Sequence, residues 1–502
     1  MPESKQSYRQ IFKATTLFGG VQVFNILIGI IRSKFIAVLL GPEGMGISGL
    51  LTSTTGFISG ITGFGLGTSA VKNVSAANAT GNKTRISIVV TVFRRLVWIT
   101  GLLGMIVTIV LSPWLSKITF GNKDYTFAFI LISVTLLLNQ ISTGQGVLLR
   151  GTHRIKELAK SGMAGSLLGL LITIPLYYFL RLKGIVPGII ISSIIALIFT
   201  WYYSSKVKIE KVYVSKARTI AEGRDMIKMG FMISLSGLIS YGVSYLIRIY
   251  ISNTGGVGQV GLYNAGFAII GTYVGMVFTA MSTDYYPRLS AVAHDNNKSR
   301  ELINQQAEVA MLILGPVLAI FMVFINWIII LLYSTKFVAI NEMIHWAALG
   351  MYFKASSWSI AFILLAKGAS NLFFWNELAG NLYVLLFNIA GYKLAGLEGL
   401  GISFMAAYIV YLLQVFLVVT VKYSFSFTAE FYRVAGIQFM AGLLCFILMK
   451  ILTSPLAYIT GTFLVLVSFF HSFRELDRRI ELRKLLRLRF NGLTNPDEEK
   501  QT

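Results

Sequence analysis

Residues 25–50 read NILIGIIRSKFIAVLLGPEGMGISGL, an apolar run that carries a late arginine and passes through a glycine-rich turn into a second apolar run. Each run approaches the length of about 20 residues that an α-helix needs to cross a bilayer. The whole chain is similar, with 55% hydrophobic and 13% charged residues over 502 positions and a mean hydropathy of +0.70. Soluble domains carry roughly 25% charged residues. The sequence therefore predicts an all-α polytopic membrane protein, because lipid leaves no partner for an unpaired backbone group.

A second stretch repeats this pattern. Residues 240–265 read SYGVSYLIRIYISNTGGVGQVGLYNA, so Arg248 precedes Gly261 much as Arg32 precedes Gly46. Both stretches are predicted to run outward through the membrane, which would relate the two copies about an axis along the membrane normal. The alternative is that short glycine turns between membrane helices arose twice.

Fourteen runs are long and apolar enough to be spans. They lie near residues 14–40, 44–70, 86–112, 126–149, 158–180, 185–205, 229–252, 260–282, 307–333, 343–366, 371–393, 397–421, 432–450 and 455–472. With the N-terminus inside, about 31 lysines and arginines fall in cytoplasmic segments and about seven in outer ones, which agrees with the positive-inside rule. Both termini are therefore predicted to be cytoplasmic.

The repeat and the charge pattern together predict the domain organisation. The predicted parts are an N-terminal six-helix lobe (1–205), a basic cytoplasmic linker (206–228), a C-terminal six-helix lobe (229–421), two additional transmembrane helices (432–472) and a basic cytoplasmic tail (473–502). The tail sequence from Arg474 through Arg489 has helical apolar spacing with arginines between. It favours either a basic amphipathic helix on anionic membrane lipids or a solvated helix that fixes topology.

Six cations lie within the predicted spans, where carboxylates are nearly absent: Arg32, Lys34, Arg94, Arg95, Arg248 and Lys354. Charges at this depth are costly and usually face a cavity or a partner. Arginine forks and lysine point charges suit phosphate oxygens, so this set favours a phosphate-bearing anion over an organic cation.

We predict that Arg32, Arg94, Arg248 and Lys354 form a cationic cavity that binds a diphosphate. Lys354 is the strongest candidate because it lies near the middle of its span. Arg94 is favoured over Arg95 because adjacent helical residues point about 100° apart, so one of the two faces the cavity. Structural ion pairs, and extension of the side chains toward the headgroups, are the alternatives.

Amides and one carboxylate complete the polar set within the spans. Asn139, Gln140 and Gln145 have side chains that both donate and accept, as sugar hydroxyls require, so they are predicted to bind sugar. Such residues also bind neighbouring helices. Glu377 is the clearest intramembrane carboxylate and is the candidate for coupling transport to an ion gradient.

Nothing in the sequence indicates an enzyme or a cofactor. Cys445 is the single cysteine and the four histidines are scattered, so neither a disulfide nor a metal site is expected. The chain also lacks a G-x-x-x-x-G-K-[ST] loop for ATP. Transport driven by a gradient, by membrane potential or by substrate concentration is the remaining class.

The chain resembles the Wzx-type polysaccharide and O-antigen flippases of the multidrug/oligosaccharidyl-lipid/polysaccharide exporter superfamily. The resemblance rests on RSKFIAVLLGPEGMGISGL (Arg32–Leu50), on YLIRIYISNTGGVGQVGLYNAGFAI (Tyr245–Ile269) and on the arrangement of six spans, a basic loop and six spans. It implies two six-helix lobes around a central cavity that opens to each side in turn.

The resemblance also implies a substrate and a location. An undecaprenyl-diphosphate-linked oligosaccharide would move from the inner to the outer leaflet of a bacterial cell (inner) membrane, for a lipopolysaccharide or similar surface polysaccharide. The implied partners are this lipid-linked substrate, anionic lipids and glycan-assembly enzymes, with no nucleic acid. In fourteen-span relatives the last two helices can form a lipid-facing groove, and the resemblance leaves open whether they do so here.

Two other functions stay open at this stage. A multidrug cation antiporter of the same superfamily would need an essential buried carboxylate, for which Glu377 is the one fair candidate. A membrane glycan polymerase or ligase would need a large catalytic outer loop, whereas the predicted outer loops are only about a dozen residues long.

Overall fold

The computed structural model describes residues 23–480, apart from residue 211, and the regular elements among them are helices. They are α1 (23–39), α2 (Gly41–Thr62), α3 (Leu66–Ala79), α4 (Lys83–Phe120), α5 (Thr126–Ile132), α6 (Val134–Gly151), α7 (Ile155–Leu180), α8 (Ile185–Ser205), α9 (Lys216–Gly255), α10 (Val257–Phe267), α11 (Met276–Ala291), α12 (Asn296–Leu332), α13 (Asn341–Ala366), α14 (Ser370–Tyr423), α15 (Ala429–Ile451) and α16 (Leu456–Ile480). Short 3₁₀ turns cover Arg181–Gly184 and Thr335–Ile340, and Ala268–Val274 is a π-helix.

The helices have the lengths and compositions of membrane spans. Within the described residues, nine helical segments are long and apolar enough to cross a membrane, or ten if α9, which bends by 52° between Leu235 and Gly237, is one span. Twelve of the fourteen predicted spans fall largely on these segments. The first two, 14–40 and 44–70, fall as far as they are described on α1, α2 and α3, which are not among the segments. The predicted all-helical polytopic membrane fold is confirmed.

Two of these segments are hairpins rather than single spans. Ile155–Ser205 has 51 residues and Ser370–Tyr423 has 54, and a straight helix of that length would be about 75–80 Å long, more than twice the hydrocarbon thickness. In the second hairpin the backbone leaves the helical region at Ala395 and Gly396, where Gly396 has a φ of +56° that suits glycine. Beyond this turn the two arms of α14 lie so close that a Cβ on Gly391 would be 2.4 Å from the carbonyl oxygen of Gly399.

The described chain divides into two compact units. Unit 1 contains the residues up to Asn264 together with Leu332–Phe337, and unit 2 contains Ala265–Leu331 and the residues from Val338 onward. The predicted six-helix lobes come from the sequence repeat and stay a prediction.

In unit 1, α2 and α10 cross at the two glycines that the repeat singled out. A Cβ on Gly261 would be 1.8 Å from the carbonyl oxygen of Pro42 and 2.9 Å from the backbone nitrogen of Gly46. A Cβ on Gly46 would be 2.0 Å from the carbonyl oxygen of Val257. Small residues let membrane helices approach backbone to backbone, so both glycines are needed for this contact.

The basic linker that was predicted from the sequence, residues 206–228, packs against the rest of unit 1. Val214 belongs to the apolar core formed by α3, α4, α6 and α9, and Val207, Ile209 and Val212 pack against that core. The linker backbone is also bonded, since the amide of Glu210 donates to Ser87 Oγ at 3.2 Å. The second half of the linker forms the first turns of α9, which begins at Lys216.

Arg95 holds the end of this linker. Its Nη1 donates to the carbonyl oxygen of Val214 at 2.8 Å and to Thr219 Oγ1 at 2.7 Å. We expect Arg95→Ala to free the linker, because hydrogen bonds from a charged donor contribute about 1.5–3 kcal/mol each. Limited trypsin digestion at Lys206 and Lys208 in inside-out vesicles should become about tenfold faster. Arg94→Ala is the matched control, and equal rates for the two variants would contradict the role of Arg95.

In unit 2, α15 and α16 are fastened to α12 by polar side chains. Gln438 on α15 is fully buried, and it accepts from Ser468 and donates to Ser472 on α16. A Cβ on Gly315 of α12 would be 2.3 Å from Gln438 Oε1. The three helices therefore pack as one layer.

Charged side chains join the same helices near one end. Arg479 of α16 pairs with Glu308 of α12 at 3.1 Å and with Glu430 of α15 at 3.0 Å, and Arg478 also contacts Glu430. Both arginines belong to the segment predicted to lie on anionic lipid, whose part beyond Ile480 lies outside the described residues. In the described part, these two side chains contact carboxylates of unit 2.

Candidate functional site

Most of the cations within the predicted spans form no salt bridge with a described residue. Among the residues that the structure describes, salt bridges involve side chains at helix ends, in loops and on the α12–α15–α16 layer. Five of the six cations take no part in these bridges: Arg32, Arg94, Arg95, Arg248 and Lys354. An unpaired charge at this depth is expensive, so these side chains have either another binding partner in the fold or a role with a ligand.

Lys354 on α13 is surrounded by aromatic rings. Its Nζ lies 5.2 Å from the ring centre of Tyr408, 5.7 Å from that of Phe404 and 5.9 Å from that of Phe278. These distances are within the range of cation–π attraction. Phe278 is buried, whereas Lys354, Phe404 and Tyr408 are half-buried. In the described chain no carboxylate pairs with Lys354, so the ammonium keeps its charge available.

Local structure explains how the rings meet the lysine. Phe278 is in the first turn of α11, directly after the π-helix Ala268–Val274. Phe404 and Tyr408 are one turn apart in the second arm of α14, with ring centres 4.7 Å apart. π-helical turns often occur at functional sites, and this one directly precedes the helical turn that carries Phe278.

Arg248 on α9 forms two hydrogen bonds within unit 1. Its Nε donates to Asn264 Oδ1 at 2.8 Å, its Nη1 donates to the carbonyl oxygen of Ser244 at 2.9 Å, and its Cζ lies 5.6 Å from the ring centre of Tyr263. Nη2 has no hydrogen-bond partner among the described residues. Two fixed bonds orient the guanidinium, which leaves one N–H edge for a ligand.

Arg32 on α1 has different surroundings, although the predicted repeat makes it the equivalent of Arg248. It faces the α7–α8 hairpin, where a Cβ on Gly169 would be 3.4 Å from its Nη2 and 3.6 Å from Ser192 Oγ. Its Nε is buried without a hydrogen-bond partner in the described part of the chain. A buried donor without a partner marks a place where a ligand or water oxygen would be stabilised.

The adjacent arginines of α4 point in different directions, as the helix geometry predicts. Arg95 binds the linker, whereas Arg94 is exposed and shares its helix face with the exposed Trp98 and Leu102. Arg94, the side chain favoured from sequence, therefore has no hydrogen-bond or salt-bridge partner among the residues that the structure describes, and it lies beside exposed apolar side chains.

The predicted sugar-binding amides divide into two groups. Gln140 Nε2 donates to Thr100 Oγ1 at 3.0 Å and joins α6 to α4, and Gln145 Oε1 accepts from Ser204 Oγ at 2.7 Å and joins α6 to α8. Asn139 is exposed and makes no hydrogen bond with the side chains described. The helix-binding alternative therefore describes Gln140 and Gln145, while Asn139 keeps both ends of its amide accessible.

Glu377 lies between the arms of the α14 hairpin. It accepts a hydrogen bond from the hydroxyl of Tyr411, which in turn accepts from Asn376 Nδ2 at 3.0 Å. Gln414 Nε2 donates to Asn376 Oδ1 at 2.7 Å. The carboxylate is half-buried and lies in a neutral hydrogen-bond network, without a salt bridge to any cation that the structure describes.

Sequence reasoning missed the aromatic rings around Lys354. Phe278 is on α11, far in the chain from Phe404 and Tyr408 on α14, and aromatic residues make up 13% of the sequence. Composition therefore gave no reason to select these three among the many aromatic residues. The one available signal was the four-residue spacing of Phe404 and Tyr408, which places them on one helix face.

Comparison with known sequences identifies relatives. The profile of the family described as "Polysaccharide biosynthesis protein" matches residues 35–342. The Lipid III flippase of Escherichia coli (strain K12) is 20% identical over 407 residues, which cover 80% of this chain and 95% of that protein.

Solved structures share the fold over most of the chain. The Lipid II flippase MurJ in an inward closed conformation aligns with a TM-score of 0.62 at 12% identity, covering 93% of this chain and 99% of that one. An inward-facing multidrug resistance MATE family transporter of the MOP superfamily aligns with a TM-score of 0.64 at 16% identity, covering 80% and 94%.

These matches settle two predictions made from the sequence. The relatives are flippases and transporters by name, which confirms that the chain is a transporter and not an enzyme. The predicted membership of a polysaccharide-related family is confirmed as well. Because the family profile covers more than half of the sequence, the chain belongs to the polysaccharide biosynthesis protein family.

Proposed function

We propose that the protein moves an undecaprenyl-diphosphate-linked oligosaccharide from the cytoplasmic to the outer leaflet of a bacterial inner membrane. The product would enter the synthesis of a cell-surface polysaccharide of the O-antigen type. Membership of the polysaccharide biosynthesis family supports this proposal, as does the similarity to a lipid III flippase. Alternating access would carry the headgroup, while the polyprenyl tail stays in lipid.

One observation carries the choice of an anionic substrate. Five of the six cations within the predicted spans, all but Lys34, have no carboxylate partner in the described chain, and the best-placed one, Lys354, lies over three aromatic rings. A diphosphate would supply the missing negative charge. Oxygens that carry charge form stronger hydrogen bonds with such donors than neutral groups do.

Each candidate residue has a proposed role. Lys354 would bind the diphosphate as a point charge, and Arg248 would bind it through the guanidinium edge that Asn264 leaves free. Arg32 and Arg94 would be further contacts for the anion, and Asn139 would contact the oligosaccharide. Glu377 is proposed to couple the conformational change to a cation gradient.

The surroundings of the protein follow from the same proposal. Both termini would lie in the cytoplasm, in agreement with the distribution of lysine and arginine. Anionic lipids would contact the basic tail, and enzymes that assemble or polymerise the glycan would act before and after this step.

A drug-cation antiporter is the second candidate, supported by the fold shared with a MATE family transporter and by the half-buried Glu377. It predicts that an organic cation binds near Glu377 and that the glycan pathway is unaffected by loss of the protein. The unpaired cations disfavour it, because positive charge repels the substrate.

Deletion of the gene in its own host tests the proposed function. We expect loss of the surface polysaccharide and accumulation of the undecaprenyl-linked oligosaccharide in the inner leaflet, restored by the full-length chain. Labelling of intact and opened spheroplasts with a membrane-impermeant sugar oxidant reports the leaflet.

The outcomes separate the alternatives. Accumulation in the outer leaflet would indicate a polymerase or ligase and contradict a flippase. Unchanged polysaccharide together with increased sensitivity to cationic drugs would indicate the antiporter.

A further inference from the structure

The rings around Lys354 form a defined surface of unit 2, which we call the lysine–aromatic cluster: Lys354, Phe278, Phe404 and Tyr408. The lysine is held on three sides by ring faces. Ring faces are electron-rich and apolar. They fix the position of the ammonium without neutralising its charge, as a carboxylate would.

This arrangement differs from that of another lysine of unit 2 that lies over rings. Lys450 lies 5.4 Å from the ring centre of Trp346 and 5.0 Å from that of Phe446, but it also pairs with Glu342 at 2.9 Å and Glu398 at 3.5 Å. Lys450 thus has a full set of structural partners. Lys354 has the rings but no carboxylate in the described structure, and three of the four cluster members are half-buried rather than buried.

Hydrogen-bonding groups continue the cluster on one side. The ring of Tyr408 lies 6.3 Å from that of Tyr411, edge to face. The hydroxyl of Tyr411 is bonded to Glu377 and Asn376. A cation, two half-buried aromatic rings and a carboxylate–amide pair therefore lie next to one another on α13 and α14.

The three parts match the chemistry of a sugar that is joined directly to a phosphate. The phosphate oxygens need a cation. One face of a pyranose ring is made of C–H groups, which pack on the electron-rich face of an aromatic ring. The ring hydroxyls need groups that accept and donate, such as a carboxylate or an amide.

We propose that the lysine–aromatic cluster recognises the first sugar of the substrate, the one attached to the diphosphate. This inference rests on the proposed function and adds the part of the substrate that is selected. Lys354 binds the sugar-linked phosphate, and the rings of Tyr408 and Phe404 stack on the sugar. A polyprenyl diphosphate without sugar has no group to stack on these rings, so the protein distinguishes loaded from unloaded carrier lipid.

Binding measurements on the purified full-length chain in nanodiscs test this inference. The probes are undecaprenyl diphosphate and the same lipid carrying a single N-acetylglucosamine. We expect about tenfold tighter binding of the sugar-bearing lipid, equivalent to 1.4 kcal/mol. In Tyr408→Leu this affinity ratio should fall toward one, whereas Tyr408→Phe should keep it because the ring remains. Lys354→Gln should weaken both lipids by the same factor and leave the ratio unchanged.

The results that overturn the inference differ from those that overturn the proposed function. Equal binding of the two lipids by the wild-type chain, or an unchanged ratio in folded Tyr408→Leu, would overturn sugar recognition by the cluster. Binding of both lipids no tighter than phosphatidic acid would overturn the proposed function itself. If Tyr408→Leu does not elute as a folded monodisperse protein, Phe404→Leu takes its place, with the same expected ratio.

Discussion

Gly261→Ala is expected to remove most of the folded protein from the membrane. The added Cβ would be 1.8 Å from the carbonyl oxygen of Pro42, which is backbone and does not move aside as the end of a flexible side chain would. Helices α2 and α10 must then separate, at a cost of about 3 kcal/mol or more. Gly46→Ala should have a similar effect, because its Cβ would be 2.0 Å from the carbonyl oxygen of Val257.

Two neighbouring glycines provide controls for this experiment. Gly258 on α10 and Gly56 on α2 have no heavy atom within 4 Å of an added Cβ, and Gly→Ala in an open helical position is neutral or stabilising. The amount of monodisperse protein and its unfolding temperature in detergent are the measurements. Equal behaviour of Gly261→Ala and Gly258→Ala would contradict the close crossing of the two helices.

Lys354→Gln is expected to abolish transport while the protein stays folded. The substitution removes the positive charge that the rings hold, and loss of one partner of a desolvated charge pair typically costs 2–5 kcal/mol. Surface polysaccharide should fall by at least about tenfold in a host that depends on this gene, with matching accumulation of lipid-linked intermediate. The assay compares the variant with the wild-type chain at equal membrane abundance.

Two controls make the result specific. Lys354→Arg keeps the charge and should retain part of the activity, since its longer planar group fits the ring cluster less well. Lys393→Gln removes a lysine from the exposed surface near the turn of α14 and should transport normally. Normal flux in folded Lys354→Gln would remove this residue from the substrate site.

The fold could be predicted from sequence because the bilayer imposes it. Apolar runs of sufficient length become helices, and the glycine-rich turns of the repeat indicate where one helix ends and the next begins. The packing partner of each glycine has no signature in the sequence, because it depends on how distant helices cross. Gly46 and Gly261, which the predicted repeat makes equivalent, approach each other directly.

The candidate site could be predicted only in part. The intramembrane cations were visible because charge is rare at that depth. The environment of each one depends on helices distant in sequence, so Lys354 could not be matched with its rings, nor Arg95 with the linker, from sequence alone. Gln140 and Gln145 show the same limit, since an amide that joins two helices has the same sequence signature as one that binds a ligand.

Translocation by the purified protein is the most direct test of the central claim. The full-length chain is reconstituted in liposomes with a fluorescent undecaprenyl-diphosphate-linked oligosaccharide, and a membrane-impermeant quencher reports how much of the label changes leaflet. We expect rapid exchange with the wild-type chain and the background rate of protein-free liposomes with Lys354→Gln. Wild-type exchange at the background rate, or equal exchange with Lys354→Gln, would contradict this claim.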